Sequence, residues 1–453
     1  MFEKLSAALA RDRIARKLAE GQILIDYGHL REAISLYTNL ASYSKRTLGL
    51  RNPTTADCLK GAARAYEACG NYKNSISLRG AVLSILEDSQ GPDEVATLSA
   101  RRDLGRALLN AAIPERAVPV LERVVRDNAR LLAVTHPLRL QCQDSLGEAY
   151  SESKDGVKAV ELLKTTLRDY ELSLGPKDPL TTQCRTHLGS AYRVLGEYDR
   201  AVSTLTQALN EFIEAVGPDH VDTLLCRSRL ALTHVSARYP DALELVTRTH
   251  AAFERAFGAD DYRTLNEATH LATARQQAGD REGVITLLEA TLALSEQALG
   301  RTHPRTWMVR DKLAASYRSF NRPELAVELL DRCCASLESS PVGDPVQQLQ
   351  GRMRLTQALM HAGDLARCLD ESQRLLEDTE RILGRTDSGT ITARSNLAMV
   401  HLNLDHPHEA IGLLEDALVD STSALGASDR LTLRIIECLE KARASVAQDS
   451  SNS

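Results

Sequence analysis

Apolar residues fall three and four apart in short paired runs along the whole chain. In the stretch LGSAYRVLGEYDRAVSTLTQAL, Leu188, Ala191, Tyr192 and Leu195 share one side of a first helix. Ala201, Val202, Leu205, Ala208 and Leu209 share one side of a second, and Gly196 stands between the two. No run alternates with the period of two that marks a half-buried strand. The pattern therefore predicts one helical hairpin after another.

A second punctuation separates the hairpins. The loop LGPKDPLTT, Leu174 to Thr182, returns as LGLRNPTT from Leu48, VGPDHVDT from Val216, FGADDYRT from Phe257, LGRTHPRT from Leu299, LGRTDSGT from Leu383 and LGASDRLT from Leu425. Its glycine stands at 49, 91, 175, 217, 258, 300, 384 and 426, and two further copies, at Ala133 and near Val342, lack it, so every step is 42 except 41 between Gly217 and Gly258. A fixed period in this range is the signature of a solenoid and overrides the several globular domains that 453 residues would otherwise suggest. Gly175 is expected to end a helix in the left-handed conformation, Asp178 to cap the next, and Pro179 to occupy its first turn, where a missing N–H costs nothing.

Numbering each repeat so that Leu188 is position 7 places small residues in two columns. Position 8 holds Gly21, Ala63, Gly105, Gly147, Gly189, Ala231, Ala272, Ala314, Thr356 and Ala398. Position 20 holds Ala33, Ser75, Ala117, Ala159, Ala201, Ala242, Val284, Ala326, Cys368 and Ala410. Small side chains there let paired helices approach closely. The repeats run near 14–55, 56–97, 98–139, 140–181, 182–223, 224–264, 265–306, 307–348, 349–390 and 391–432, followed by a capping helix over 433–445 and a polar tail over 446–453. Two places break the pattern: SARYPDALEL (Ser236 to Leu245), which lacks the hairpin glycine, and the proline-bearing loop SSPVGDPVQQ (Ser339 to Gln348). The junction of the seventh and eighth repeats is expected to be the most deformable.

Leu188, Gly189, Tyr192, Gly196, Tyr198, Ala201 and Ala208 stand where the tetratricopeptide repeat carries its signature, and the period of 42 with its LG…HP.T loop resembles the kinesin-light-chain variety. The resemblance covers almost the whole chain. It implies an all-α, right-handed α-solenoid of about ten helical hairpins, a tetratricopeptide-like superhelix with a C-terminal capping helix, whose first helices line a concave groove. It does not bring the kinesin role with it. There is no long heptad segment for a heavy chain, and of the paired asparagines typical there only Asn396 remains.

Charge and chemistry narrow the picture. A net charge of −6 and a pI near 6.1 give no bulk attraction to nucleic acid or an anionic membrane. The N-terminus MFEKLSAALARDRIARK lacks the apolar core of a signal peptide, and no stretch nears the roughly 18 apolar residues of a membrane helix. A soluble, cytoplasmic protein is expected. Cys58, Cys142, Cys184 and Cys226 all fall at position 3, Cys368 at position 20 and Cys333 at position 27, so the nine cysteines read as reduced packing residues. His136, His220 and His303 belong to the loop punctuation, and His401, Asp405, His406 and His408 straddle a turn, which does not favour a metal site. No phosphate-binding loop, dinucleotide fingerprint or hydrolase or zinc motif occurs, so neither cofactor, metal nor catalytic residue is expected.

The groove face is what remains. At 100° per residue, positions 2, 5, 6, 9, 12 and 13 of each first helix lie opposite the packing side. Near the N-terminus they hold a basic patch, Lys60, Arg64, Arg102 and Arg106, followed by the acidic Asp144, Glu148 and Glu152. Two readings stay open: lateral ion pairs between neighbouring repeats, or ligand contact. Further on the face turns to amides and apolar groups, and Asn266, Gln276, Met308, Gln350, Met353, Arg354, Gln357, Met360, Asn396, Met399 and Asn403 form the candidate peptide site. Methionine adapts to apolar ligands, and amides pair with both donors and acceptors of a bound backbone. The expected function is a non-enzymatic scaffold for a protein or extended peptide. The alternative is a regulatory sensor whose superhelix responds to a signal peptide or small molecule.

Overall fold

The chain stops and restarts at each loop for reasons visible at Gly175. That residue follows Leu174 with φ 94° and ψ 162°. This is not the left-handed helical region but the extended region at positive φ, open essentially to glycine alone. The Asp178 carboxylate then accepts the Leu180 N–H at 2.9 Å, and Pro179 opens the next helix. The loop's threonine has a role as well. Thr181 Oγ1 donates to the Gly175 carbonyl at 2.8 Å, and Thr55, Thr97, Thr223 and Thr306 reach Gly49, Gly91, Gly217 and Gly300 at 2.7 to 2.9 Å. At His136, His220 and His303 the ring Nδ1 replaces the aspartate as cap, at 3.2 to 3.3 Å. Where Ala133 displaces the glycine, Leu132 is simply extended, with φ −122° and ψ 147°.

The computed structural model describes residues 2–111, 113–301, 303–338 and 345–452; most of the loop Ser339 to Gln348 lies outside the described residues, and from Pro345 onward it is helix. Two compact units are present, residues 1–279 and 280–453. In the first, α1 (Phe2–Asp26) pairs with α2 (Leu30–Thr47), α3 (Pro53–Ala68) with α4 (Tyr72–Gln90), α5 (Val95–Asn110) with α6 (Pro114–Leu131), α7 (Pro137–Glu152) with α8 (Gly156–Leu174), α9 (Pro179–Leu195) with α10 (Tyr198–Val216), and α11 (Val221–Ala237) with α12 (Ala242–Phe257); α13 (Tyr262–Gln277) ends it. The second begins with α14 (Arg281–Ala298), continues through the pairs α15 (Pro304–Ser319) with α16 (Pro323–Glu338), α17 (Pro345–Ala362) with α18 (Leu365–Leu383), and α19 (Ser388–Asn403) with α20 (Pro407–Ala424), and closes on α21 (Arg430–Asn452). Among the described residues there is no strand, and each unit is an α-solenoid. The segment expected as a polar tail from 446 continues α21 to Asn452, since no glycine or proline interrupts it.

Within a hairpin the small column fixes the approach. A Cβ on Gly189 would stand 2.5 Å from Leu205 Cγ, and Gly105 and Gly147 meet Leu121 and Leu163 at 2.6 and 2.4 Å in the same way. Position 15, the hairpin turn, takes positive φ in each described copy: glycine at 28, 70, 196, 279 and 363, but Lys154, Arg238, Asn321 and Asp405 elsewhere. The turn in SARYPDALEL is therefore made without glycine, with Arg238 in the left-handed region.

The cysteines pack as the register requires. Cys58, Cys142, Cys184, Cys226, Cys333, Cys334 and Cys368 are buried free thiols. Burial pushes Cys58, Cys226 and Cys333 up to about 11 and Cys142 and Cys334 up to about 12, so none is a poised thiolate.

A second regularity binds hairpin to hairpin. At position 4 an arginine, buried at 101, 185 and 394 and half-buried at 352, donates to two carboxylates, one 14 residues earlier on the preceding second helix and one 26 residues later on the second helix of its own hairpin. Arg101 meets Glu87 at 2.7 Å and Asp127 at 2.8 Å, Arg352 meets Glu338 at 2.6 Å and Asp378 at 2.8 Å, and Arg394 meets Glu380 at 2.6 Å and Asp420 at 2.5 Å. Arg185 meets Glu171 at 2.7 Å and also Glu211. Guanidinium, planar and permanently charged, suits this bridging task, and two acids offset the cost of burying it.

Candidate functional site

Neighbouring first helices touch one another: α1 with α3, α5 with α7, α7 with α9, α9 with α11 and α11 with α13 in the first unit, and α15 with α17 and α19 with α21 in the second. Positions 5 and 6 therefore face sideways into the next helix rather than into solvent. Asp144, Thr186, His187 and Ser228, all at those positions, are buried.

In the first unit this contact consumes much of the charge. Asp144 pairs with His187 Nδ1 at 2.8 Å, His187 Nε2 lies 3.6 Å from Glu148, and Arg229 donates to Glu148 at 2.9 Å and to Ser190 Oγ at 3.1 Å. Burial alone would lower the His187 pKa, but Asp144 and then Glu148 outweigh it and raise it. Burial would raise Glu148, yet His187, Arg229 and Arg106 bring it down to about 2. Asp144 and Glu148 of the acidic stripe thus form a lateral ladder whose hydrogen-bonded partners are His187 and Arg229, with Arg106 acting on Glu148 at longer range, while Glu152 is exposed. Sequence reasoning passed over His187; comparing positions 5, 6 and 9 between successive repeats would have found it.

The basic patch is brought together only in part. Arg102 turns to Asp103, at 2.8 Å, and to Gln141. Lys60 holds Asp57 at 3.2 Å. Lys60, Arg64 and Arg106 line a cleft of about 580 Å3 with Glu67, Arg79 and Asp103, and the Arg64 and Arg106 side chains are exposed. Arg79 takes up Glu67 there at 2.7 Å. Asn266 and Gln276 also belong to the first unit, on α13, the former half-buried and the latter exposed.

The remaining candidates lie on α15, α17 and α19 of the second unit. Met308 is 48% exposed, and Gln350, Gln357 and Asn403 are exposed. Met353, Met360, Asn396 and Met399 are half-buried, and Met353 packs against Leu349, Leu375 and Ala393. Its expected position in solvent is corrected by the sideways orientation of position 5. Asn403 Nδ2 donates to the Met399 carbonyl at 2.7 Å, while Asn396 Nδ2 is buried without an acceptor. Arg354 pairs with Asp311, whose carboxyl burial holds up at about 6 despite that partner. The two units thus differ: paired charge in the first, and in the second exposed Gln350, Gln357 and Met308 beside the Arg354–Asp311 pair.

Among the described residues no group of three or more His, Cys, Asp or Glu side chains is placed to hold a metal ion, and no helix is long and apolar enough to cross a membrane. A profile of the tetratricopeptide repeat matches residues 138–214, 180–255 and 261–339, and a second profile of that repeat matches 390–430. Among solved structures, a Podosopora anserina putative kinesin light chain with nearly identical TPR-like repeats is 25% identical over 46% of this chain and 98% of its own, with a TM-score of 0.37. A Rap protein complexed with Competence and Sporulation Factor is 12% identical over 87% of this chain and 99% of its own, at a TM-score of 0.46. The apo form of RapI is 14% identical over 67% and 99%, at 0.48. No curated protein matches the chain.

Proposed function

The chain belongs to the tetratricopeptide repeat family, and on that premise we propose that it is a non-enzymatic scaffold holding an extended segment of a partner protein along α15, α17 and α19. One observation carries this reading. The side chains of Met308, Gln350 and Gln357 stand exposed with no hydrogen bond or ion pair among the described residues, and Asn396 Nδ2 lacks an acceptor. An extended backbone has donors and acceptors in need of such amides, and its apolar side chains have a use for exposed thioethers. The ligand would leave chemistry to others; the face supplies surface and no activated nucleophile or acid–base pair.

A random peptide library displayed on phage and selected against the protein tests the proposal. Enriched peptides should lose at least about tenfold in affinity, ~1.4 kcal/mol, for the Met308→Glu/Gln357→Glu variant. The Lys60→Glu/Arg64→Glu variant should bind them as before. Peptides indifferent to the first variant and lost in the second would move the site to the basic cleft.

A further inference from the structure

Among the rungs formed by position-4 arginines that hold the acid 14 residues earlier, that of Arg310 lacks the second acid. Arg310, 2% exposed, keeps the acid 14 residues earlier, donating to Glu296 at 2.7 Å. Twenty-six residues later, where Asp127, Glu211, Asp378 and Asp420 stand in the other copies, the eighth repeat has Ser336. Arg310 Nη1 meets the Cys333 thiol at 3.1 Å and the Arg301 carbonyl at 3.4 Å instead. A thiol pushed up to about 11 by burial stays neutral and gives the guanidinium no counter-charge.

Where the acid is missing there is space. A cavity of about 320 Å3 lies between α14, α15 and α16, lined by Arg301, Arg310, Arg332, Glu289, Tyr317 and Ser336 among others. Its two acids are already engaged: Glu289 accepts the Tyr317 hydroxyl at 2.5 Å, and Glu296 accepts from Arg310 and lies 3.4 Å from Arg301. Arg332 pairs with Glu328 at 3.3 Å, so the shortfall of negative charge is local: Arg301 and Arg310 share the one carboxylate of Glu296. The volume sits at the lower end of the range for small-molecule sites, ~300–1,000 Å3.

We propose that this cavity binds a small organic acid, whose carboxylate gives Arg310 Nη1 the oxygen that an aspartate or glutamate gives it in the complete rungs. The site is separate from the peptide face and does not depend on it. Succinate and glutarate are suitable probes, because their second carboxylate has a further guanidinium, that of Arg301, in the same lining.

Ser336→Asp tests this by completing the rung from within the chain. A tethered carboxylate acts at a high effective concentration, so it should weaken succinate and glutarate binding at least about tenfold. Binding is read by calorimetry and by the rise in melting temperature against sodium chloride at matched ionic strength. The variant should also melt higher than the natural protein when no acid is added. Arg301→Gln, a change at an exposed side chain, should weaken binding severalfold and serves if the aspartate variant folds poorly. Absence of binding to the natural protein, or equal binding by it and the folded variants, overturns the proposal.

Discussion

Replacing His187 with leucine tests whether the charged stretch of the first unit is internal structure. The substitution keeps side-chain volume near that of the imidazole but removes the cation between Asp144, 2.8 Å away, and Glu148, 3.6 Å away. Asp144 is 8% exposed, so its carboxylate would be left buried without its ion partner, while Glu148 keeps Arg229 at 2.9 Å. Breaking a buried pair costs about 3–5 kcal/mol when the remaining charge has no escape, and partial access to water at Glu148 brings the expectation to about 2–4 kcal/mol. The effect depends on pH with a definite sign. The folded His187 pKa is raised above the ordinary 6.5, so its contribution is complete below about 6.5 and fades as pH rises through the folded value. Glu148, lowered from 4.5 to about 2, contributes above about 4.5 and loses its contribution as pH falls towards 2. Native-state hydrogen exchange of the α7, α9 and α11 amides reads this locally, without assuming that a repeat array unfolds in one step. The gap between the natural protein and His187→Leu should be widest near pH 5 to 6 and narrow towards pH 9. Equal protection at pH 6, or a gap that widens with pH, would refute the buried ladder.

Three other substitutions probe the frame that carries the faces. Gly189→Ala sets a Cβ 2.5 Å from Leu205 Cγ and should destabilise by about 1–3 kcal/mol, measured by denaturant unfolding. Adding Leu205→Ala should cost less than the two single changes summed, because the new methyl occupies part of the vacated space. Lys154→Gly goes the other way: Lys154 sits at φ 65° where five copies have glycine, so relief of the left-handed strain should stabilise by about 1 kcal/mol and raise the melting temperature.

Much of the fold is legible in the sequence because its punctuation is local. Gly175, Asp178 and Pro179 act within four residues of one another, and the turn at position 15 needs only its own backbone, so the hairpins follow from spacing alone. What escapes the sequence acts between repeats. Arg101 needs Glu87 and Asp127, 14 and 26 residues away, and His187 finds Asp144 at a distance of 43. A helical wheel drawn for one helix shows neither. The same limit explains Met353. The wheel places it opposite the packing side, but the next first helix, α19, closes that direction with Ala393, and Met353 packs there together with Leu349 and Leu375. Met308, at position 2, keeps the exposure the wheel expects.

The chain has five methionines, and four of them, Met308, Met353, Met360 and Met399, belong to the proposed peptide face. Labelling the methionine methyl groups with 13C therefore gives that face its own resonances. Titrating the labelled protein with a peptide selected from the library should move Met308, Met360 and Met399 with one common midpoint, Met308 most, since it is 48% exposed before binding. A peptide that binds, as judged by fluorescence anisotropy, while all four resonances stay still would contradict the assignment of recognition to α15, α17 and α19.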